Sequence, residues 1–279
     1  MYTHSPRRSG IRLTRRGRLT LIVTGAAAAV AAAAIVVPSA LSGGDESPKA
    51  LTVQEGWRAA QIYPAVDRAL GTPAGTTAKS LAKAKLKLPA AAEGNPEGFL
   101  YPGTYPLSDK STSASLLRAM VANADRAFGG APVAAGAQRN AMNPYQAVVI
   151  ASLVQTEADT KADMGKVARV IYNRLDRGMP LKLDSTVNYA LHRGKQPITP
   201  ADARTDSLYN TYARMGLPPT PIANPGKAAL RAATSPPSGD WLYFVTVKKG
   251  ETRFTASADQ HAKDLTEARH GEKPATRTH

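Results

Sequence analysis

A single glutamate closes an almost wholly apolar run in AVVIASLVQTEADT, residues 147–160: Glu157 is its first acid. At helical spacing Glu157 lies over Val154, Leu153 and Ile150, whereas Gln155 lies over the smaller Ala151 and Ser152. A carboxyl group on an apolar stripe loses hydration, which favours its protonated form and raises its pKa. Held in that form near neutral pH, it can give a proton to a leaving group as a general acid. The competing reading, a solvated charge at a frayed helix end, suits Asp159 and Asp163 better, because both follow the apolar run. Other chemistries have less material. With no cysteine in the chain, disulfides, thiolate metal sites and cysteine nucleophiles are excluded. The five histidines are scattered, so neither a metal centre nor a cofactor is expected.

Further candidates follow Glu157. LKLDSTVNY alternates like a strand, with Leu181, Leu183 and Val187 on one side and Asp184 and Thr186 on the polar side. Asp184 reads as a second carboxylate, an orienting group or a turn residue. Tyr209, Asn210 and Tyr212 offer two aromatic faces and an amide, suited to sugar rings and acetamido groups, although core packing accounts for one tyrosine equally well. GLPPTPIANPG is too rich in proline for a helix and is expected as a rigid groove wall rather than a connector. WLYFVTV, KKGE and TRF form a structural hairpin, and His261 reads as a packing or hydrogen-bonding residue.

These residues need elements to hold them. Asn143-Pro144 is a helix start, with asparagine as N-cap and proline in the first turn, and the helix runs on through Glu157. Upstream, LTVQEGWRAAQIYPAVDRAL predicts a strand, a turn and a helix, and TTAKSLAKAKLKL predicts a second helix. EGNPEGFLYPGTYPL must be extended or turn structure, and ASLLRAMVANADRAF is helical. GGAPVAAGAQRNAMN is expected as a loop and a domain boundary. No repeat and no phosphate-binding glycine loop is present.

The chain of 279 residues, 43% hydrophobic, suits one or two domains with real cores. Its net charge is +15, but six arginines and no acid fall in residues 1–18, leaving thirty Lys and Arg against twenty-one Asp and Glu, or +9. Residues 19–41 carry no charged side chain, about the ~20 residues a membrane-spanning helix needs. The preceding arginines place the N-terminus in the cytoplasm and the rest outside, as a cell-membrane protein crossing once. A cleaved signal peptide is the lesser reading, since its apolar region is usually ~7–15 residues. With the main domain outside, nucleic acid is not an expected partner.

LTVQEGW, EGFLYPGTY, ASLVQTEA, KVARVIYNRLDRGMPLKLDSTVNYAL, YNTY, GLPPTPIANPGKAAL and WLYFV, in that order, resemble the MltG or YceG-like endolytic peptidoglycan transglycosylases. The resemblance covers most of the chain outside the expected span. It implies an α+β fold: a basic tail at 1–18, a transmembrane helix at 19–41, a linker at 42–50, a small LysM-like subdomain at 51–128, a mixed helix/sheet catalytic domain at 143–268 and a tail at 269–279. It places the catalytic acid on Glu157, with Gln155 where the family often has another glutamate. Candidate substrate-binding residues along the matched stretches are Asp184, Thr186, Tyr189, Tyr209, Asn210, Tyr212 and Asn224. The chain departs from the pattern at Gly103, Lys182, Ser185 and Gln260, where Asp, Gln, Pro and Glu are usual.

The implied activity is cleavage of the β-1,4 bond between N-acetylmuramic acid and N-acetylglucosamine within nascent strands, leaving 1,6-anhydro ends and terminating elongation. One carboxyl group suffices, because the C6 hydroxyl of the substrate is the nucleophile. Peptidoglycan strands are the implied partner, with wall-synthesising penicillin-binding proteins as associated proteins. A non-catalytic bitopic scaffold that binds peptidoglycan and a hydrolytic muramidase are the alternatives. A pyridoxal-dependent lyase is also considered, but no lysine stands in an apolar, strand-flanked setting that would suit it.

Overall fold

Leu51 and Val53 face inward while Ala50 and Thr52 face solvent, the period-2 pattern of a half-buried strand, and β1 (Ala50–Val53) results. It pairs antiparallel with β2 (Gly103–Pro106), Leu51 opposite Tyr105 and Val53 opposite Gly103. The computed structural model describes residues 49–271; the expected tail, membrane span and most of the linker lie outside them. Among the described residues no helix is long and apolar enough to cross a membrane.

Between the two strands come α1 (Ala59–Ala69) and α2 (Thr76–Ala84), and after them α3 (Ser113–Phe128). Thr112 caps α3: its side chain accepts from the Ser115 N–H while the Ser115 hydroxyl accepts from the Thr112 N–H. These elements enclose one apolar cluster around Ile62, Val66, Leu100, Leu117 and Met120. A second cluster is built around Ile150, Leu153, Val167, Ile171 and Ile222. α3 serves both, because Leu116 to Val121 pack into the first and Ala124 and Phe128 into the second.

The expected loop at 129–143 instead contains α4 (Ala131–Arg139). Gly130 starts it and Pro132 lies in its first turn, where proline costs little because the first N–H groups have no helical partner anyway. α5 (Pro144–Glu157) begins as the sequence indicates. The Asn143 side chain accepts from Gln146 N–H at 2.9 Å, and the Gln146 side chain accepts in return from Asn143 N–H at 2.9 Å. Every residue from Ala147 to Val154 is buried, so α5 runs through the core and has no single apolar stripe. α6 (Met164–Asp176) packs beside it.

LKLDSTVNY is not a strand. Residues 181–183 are irregular and α7 (Asp184–Ala190) follows, because Thr186 Oγ1 bonds back to Leu183 C=O at 2.7 Å and closes a helical turn. α8 (Lys227–Thr234) lies against α5 and α6. The chain ends in an antiparallel hairpin, β3 (Tyr243–Lys248) and β4 (Glu251–Thr255), with α9 (Ala258–Gly271) against it. Short 3-10 turns occur at Ala90–Ala92 and Asp202–Arg204. Two separate two-stranded sheets among helices make the fold of the described residues α+β, and residues 49–271 gather into one unit.

Candidate active site

α5 is buried until its last turn, and Glu157 is where it surfaces. Ala158 turns extended (φ −68°, ψ 127°), so the helix stops with Gln155, Thr156 and Glu157 half-exposed. They open onto a groove of about 1480 Å³. One wall is the turn between β1 and α1, including Trp57 and Arg58; another is the segment after α7, through Lys195. The strand β3 and His261 of α9 line it as well. The hairpin therefore does more than the structural work expected of it.

Burial is the main influence on the Glu157 carboxyl and raises its pKa. The neighbouring Asp184 raises it further, while Ser185 and the Lys195 charge oppose the rise. Its position at the C-terminal end of α5 works in the same direction as burial, since unpaired carbonyls there disfavour an anion. Ser185 N–H donates to Glu157 Oε1 at 3.4 Å, a long contact. Asp184, first residue of α7, accepts from the Tyr212 hydroxyl at 2.5 Å. Burial and that bond to Asp184 both raise the Tyr212 pKa, keeping the phenol a donor.

A second acid, Glu97, was not singled out from sequence although it opens EGFLYPGTY. It is 4% exposed and lines the groove behind Trp57 and Arg58. It accepts from Ala59 N–H at 3.0 and 3.2 Å and from Asn224 Nδ2 at 3.1 Å. Burial outweighs these bonds and the Arg58 charge, and its carboxyl is pushed up to about 7. Arg58 lies 5.2 Å from the centre of the Tyr189 ring and donates to the Arg193 carbonyl at 2.9 Å. The only sequence signal for Glu97 is an acid set among glycine and aromatic residues.

Of the residues expected to bind substrate, Asp184, Tyr189 and Tyr212 line the groove with Glu157. Tyr209 does not; it supports Tyr189 from the side, ring centres 4.8 Å apart, and its hydroxyl meets Thr220 Oγ1 at 2.8 Å. Thr186 is fully buried, bonded to Leu183 C=O and to Thr211 Oγ1 at 2.9 Å, which replaces its expected place on a polar strand face. Asn210 is fully buried and donates to the carbonyls of Ala203 and Thr205 at 3.0 and 2.7 Å. Asn224 is fully buried too, accepting from Leu100 N–H at 2.7 Å and donating to Trp57 C=O at 2.8 Å. The proline-rich segment carrying Asn224 is buried over 221–226 and runs through the core, so it is not the expected groove wall.

Gln155 shows why an amide serves at its position: its Oε1 accepts from Gly226 N–H, at the start of α8, at 2.9 Å. His261 stacks on Tyr243 with ring centres 5.0 Å apart, and burial lowers its pKa. Asp159 and Asp163 stay outside the groove; Asp159 accepts from Gly250 N–H at 2.6 Å and Asp163 from the Thr160 hydroxyl at 2.7 Å. Among the described residues no group of His, Asp and Glu could hold a metal ion.

The model of the YceG-like family matches residues 28–267. Over 168 residues the chain is 39% identical to an endolytic murein transglycosylase of Bacillus subtilis, covering 60% of this chain and 46% of that protein. It is 32% identical over 177 residues to one of Streptococcus pneumoniae, covering 61% of this chain and 32% of that protein. It thus spans less than half the length of these curated relatives. Among solved structures, a yceG-like protein from Listeria monocytogenes superimposes with a TM-score of 0.68 at 27% identity, covering 78% of this chain and 76% of the other.

Proposed function

For a chain that belongs to the YceG-like family, with one half-buried glutamate opening from the core into a long groove, we propose the activity of an endolytic lytic transglycosylase. It cuts the β-1,4 bond between N-acetylmuramic acid and N-acetylglucosamine inside peptidoglycan strands. The observation that carries the reading is Glu157: its burial at the end of α5 favours the proton-bearing form, and it lines a groove of about 1480 Å³. The printed names of the curated relatives, endolytic murein transglycosylase, support the substrate.

In the first step Glu157 gives its proton to the glycosidic oxygen as the bond to the muramic acid C1 breaks. The carboxylate formed then takes the proton of the same sugar's C6 hydroxyl while that oxygen closes on C1. The products are a free 4-hydroxyl and a 1,6-anhydro end; no water enters, and Glu157 ends protonated. A pKa lifted toward the working pH serves both transfers.

Mass spectrometry of products from purified glycan strands tests this. The parent should release 1,6-anhydro ends. Glu157→Gln, which keeps shape but cannot deliver a proton, should lose about 10²–10⁴-fold or more in rate while remaining folded. One observation favours a second reading. Asp184 places another carboxyl group in the groove, held by Tyr212. If it activates water the enzyme is a muramidase, and reducing ends as the main product would decide for that reading.

The proposal includes a membrane anchor at residues 19–41, supported by the absence of charge there and by the arginines before it. A reporter fused after His279 should then be extracytoplasmic; a soluble protein starting near Gly43 would remove the anchor.

A further inference from the structure

The cations of the groove fall into two kinds. Three arginines are engaged by the protein itself. Arg58 donates to the Arg193 carbonyl, and Arg174 to the carbonyls of Leu242 and Leu181, both at 2.6 Å. Arg193 pairs with Asp202 at 2.8 Å. Lys182, Lys195 and, on α9, Arg269 differ: all three are exposed on the groove that holds Glu157, and none has an ion-pair partner among the described residues; of them, Lys182 and Lys195 flank α7, whose first turn meets Glu157.

Lys182 is also held in place. Its backbone is left-handed (φ 49°), a conformation a lysine rarely adopts. It is kept there by Leu181 and Leu183, 0% and 4% exposed, on either side, and by the bond from its own N–H to Thr211 C=O at 2.9 Å. The backbone is thus fixed where the lysine side chain belongs to the groove. Lys195 lies close enough to Glu157 for its charge to oppose the protonated state. An unmatched cation beside a general acid is unfavourable for the acid unless an anion arrives with the substrate.

N-acetyl sugar rings carry no charge. The anionic groups of this polymer are the carboxylates on muramic acid substituents: the lactyl carboxyl where it is free, or the free carboxylates of a peptide attached to it. We infer that Lys182 and Lys195 form a carboxylate-binding subsite of the groove, which selects glycan strands by the charge of their muramic acid substituents. The inference rests on the proposed cleavage of peptidoglycan. It adds a selectivity the acid alone does not supply: Lys195 would be neutralised, and Glu157 relieved, only when a charged substituent is seated.

The test uses the full chain and three polymers: strands with peptides intact, strands stripped of peptide by an amidase so that the lactyl carboxyl is free, and intact strands whose carboxylates are capped as amides. Lys182→Gln with Lys195→Gln should lower kcat/KM about five- to twentyfold on intact strands and less than twofold on capped ones, as expected for two exposed charge contacts. Lys79→Gln, on α2 and away from the groove, should match the parent on all three. A loss on intact strands reports the peptide's carboxylates, because the lactyl carboxyl is bound there in an amide; sensitivity kept on stripped strands means that the subsite also takes the freed lactyl carboxylate, and sensitivity lost there confines it to the peptide. Equal losses on intact and capped strands, or no loss on any, overturn the subsite while leaving the transglycosylase reading intact. A parent that cuts none of the three overturns both.

Discussion

Glu157 and Glu97 are the same residue in two kinds of burial, and the difference lies in their partners. Glu157 has one long contact from a backbone N–H and faces the groove, so its proton is available to a substrate. Glu97 has three good acceptor contacts, to Ala59 N–H twice and to Asn224, and is almost wholly enclosed. Even so, desolvation wins, and its carboxyl titrates at about 7 against an ordinary 4.5. Between those values the native protein keeps a proton that the unfolded chain has released. Stability must therefore fall as pH rises from about 4.5 to about 7 and level off above it. The full effect is on the order of 3 kcal/mol. Denaturant midpoints of the parent should decline between pH 5 and pH 8, and those of Glu97→Gln should decline less by roughly that amount. Parallel curves for the two proteins would mean that another group titrates.

At the scale of elements, local chemistry decided what could be read in advance. The start of α5 was legible because Asn143 and Pro144 act on their own neighbours, and Glu157 was legible because a lone acid at the end of a buried helix stands out. α7 and α4 were not, for two reasons. Alternation in LKLDSTVNY matched a strand, yet one side-chain bond from Thr186 to Leu183 C=O closes a helical turn instead. Glycine and proline in GGAPV suggested a loop, although both lie where a helix tolerates them. Thr186, Asn210 and Asn224 were polar candidates whose residue type serves a sugar and a buried carbonyl equally well; only the fold separates the two uses. Gly98 shows how tightly distant segments meet. Its φ is +85°, and an added Cβ would fall 2.3 Å from Pro221 Cβ, inside the buried 221–226 segment. Gly98→Ala should therefore combine left-handed strain with overpacking, costing about 2–5 kcal/mol. An unchanged unfolding midpoint would show that the two segments separate freely.

Across the whole molecule the groove depends on two apolar clusters staying in register; α3 packs into both, and Asn224 ties them by hydrogen bonds. Its N–H and Nδ2 donate to Trp57 C=O at 2.9 and 2.8 Å, and its C=O accepts from Gly56 N–H at 2.8 Å. Nδ2 also reaches Glu97, and Oδ1 accepts from Leu100 N–H at 2.7 Å. The turn carrying Trp57 and Arg58, one wall of the groove, is thereby fixed to the part of the chain that presents Glu157. Asn224→Ala leaves the backbone bonds but orphans Leu100 N–H, worth about 1–3 kcal/mol when buried, and takes one of two donors from Glu97 Oε1, which keeps Ala59 N–H. Stability should fall by roughly 2–4 kcal/mol, and kcat/KM by tenfold or more as the wall loses its fixed position. The alkaline limb of the pH–rate profile, where Glu157 loses the proton it must deliver, should stay in place, because Asn224 makes no contact with the Glu157 carboxyl. A direct substrate contact would behave differently: KM would rise while the unfolding midpoint held. Measuring both quantities on one protein separates a buried joint from a sugar ligand, and a stable variant with raised KM would return Asn224 to the substrate side of the groove.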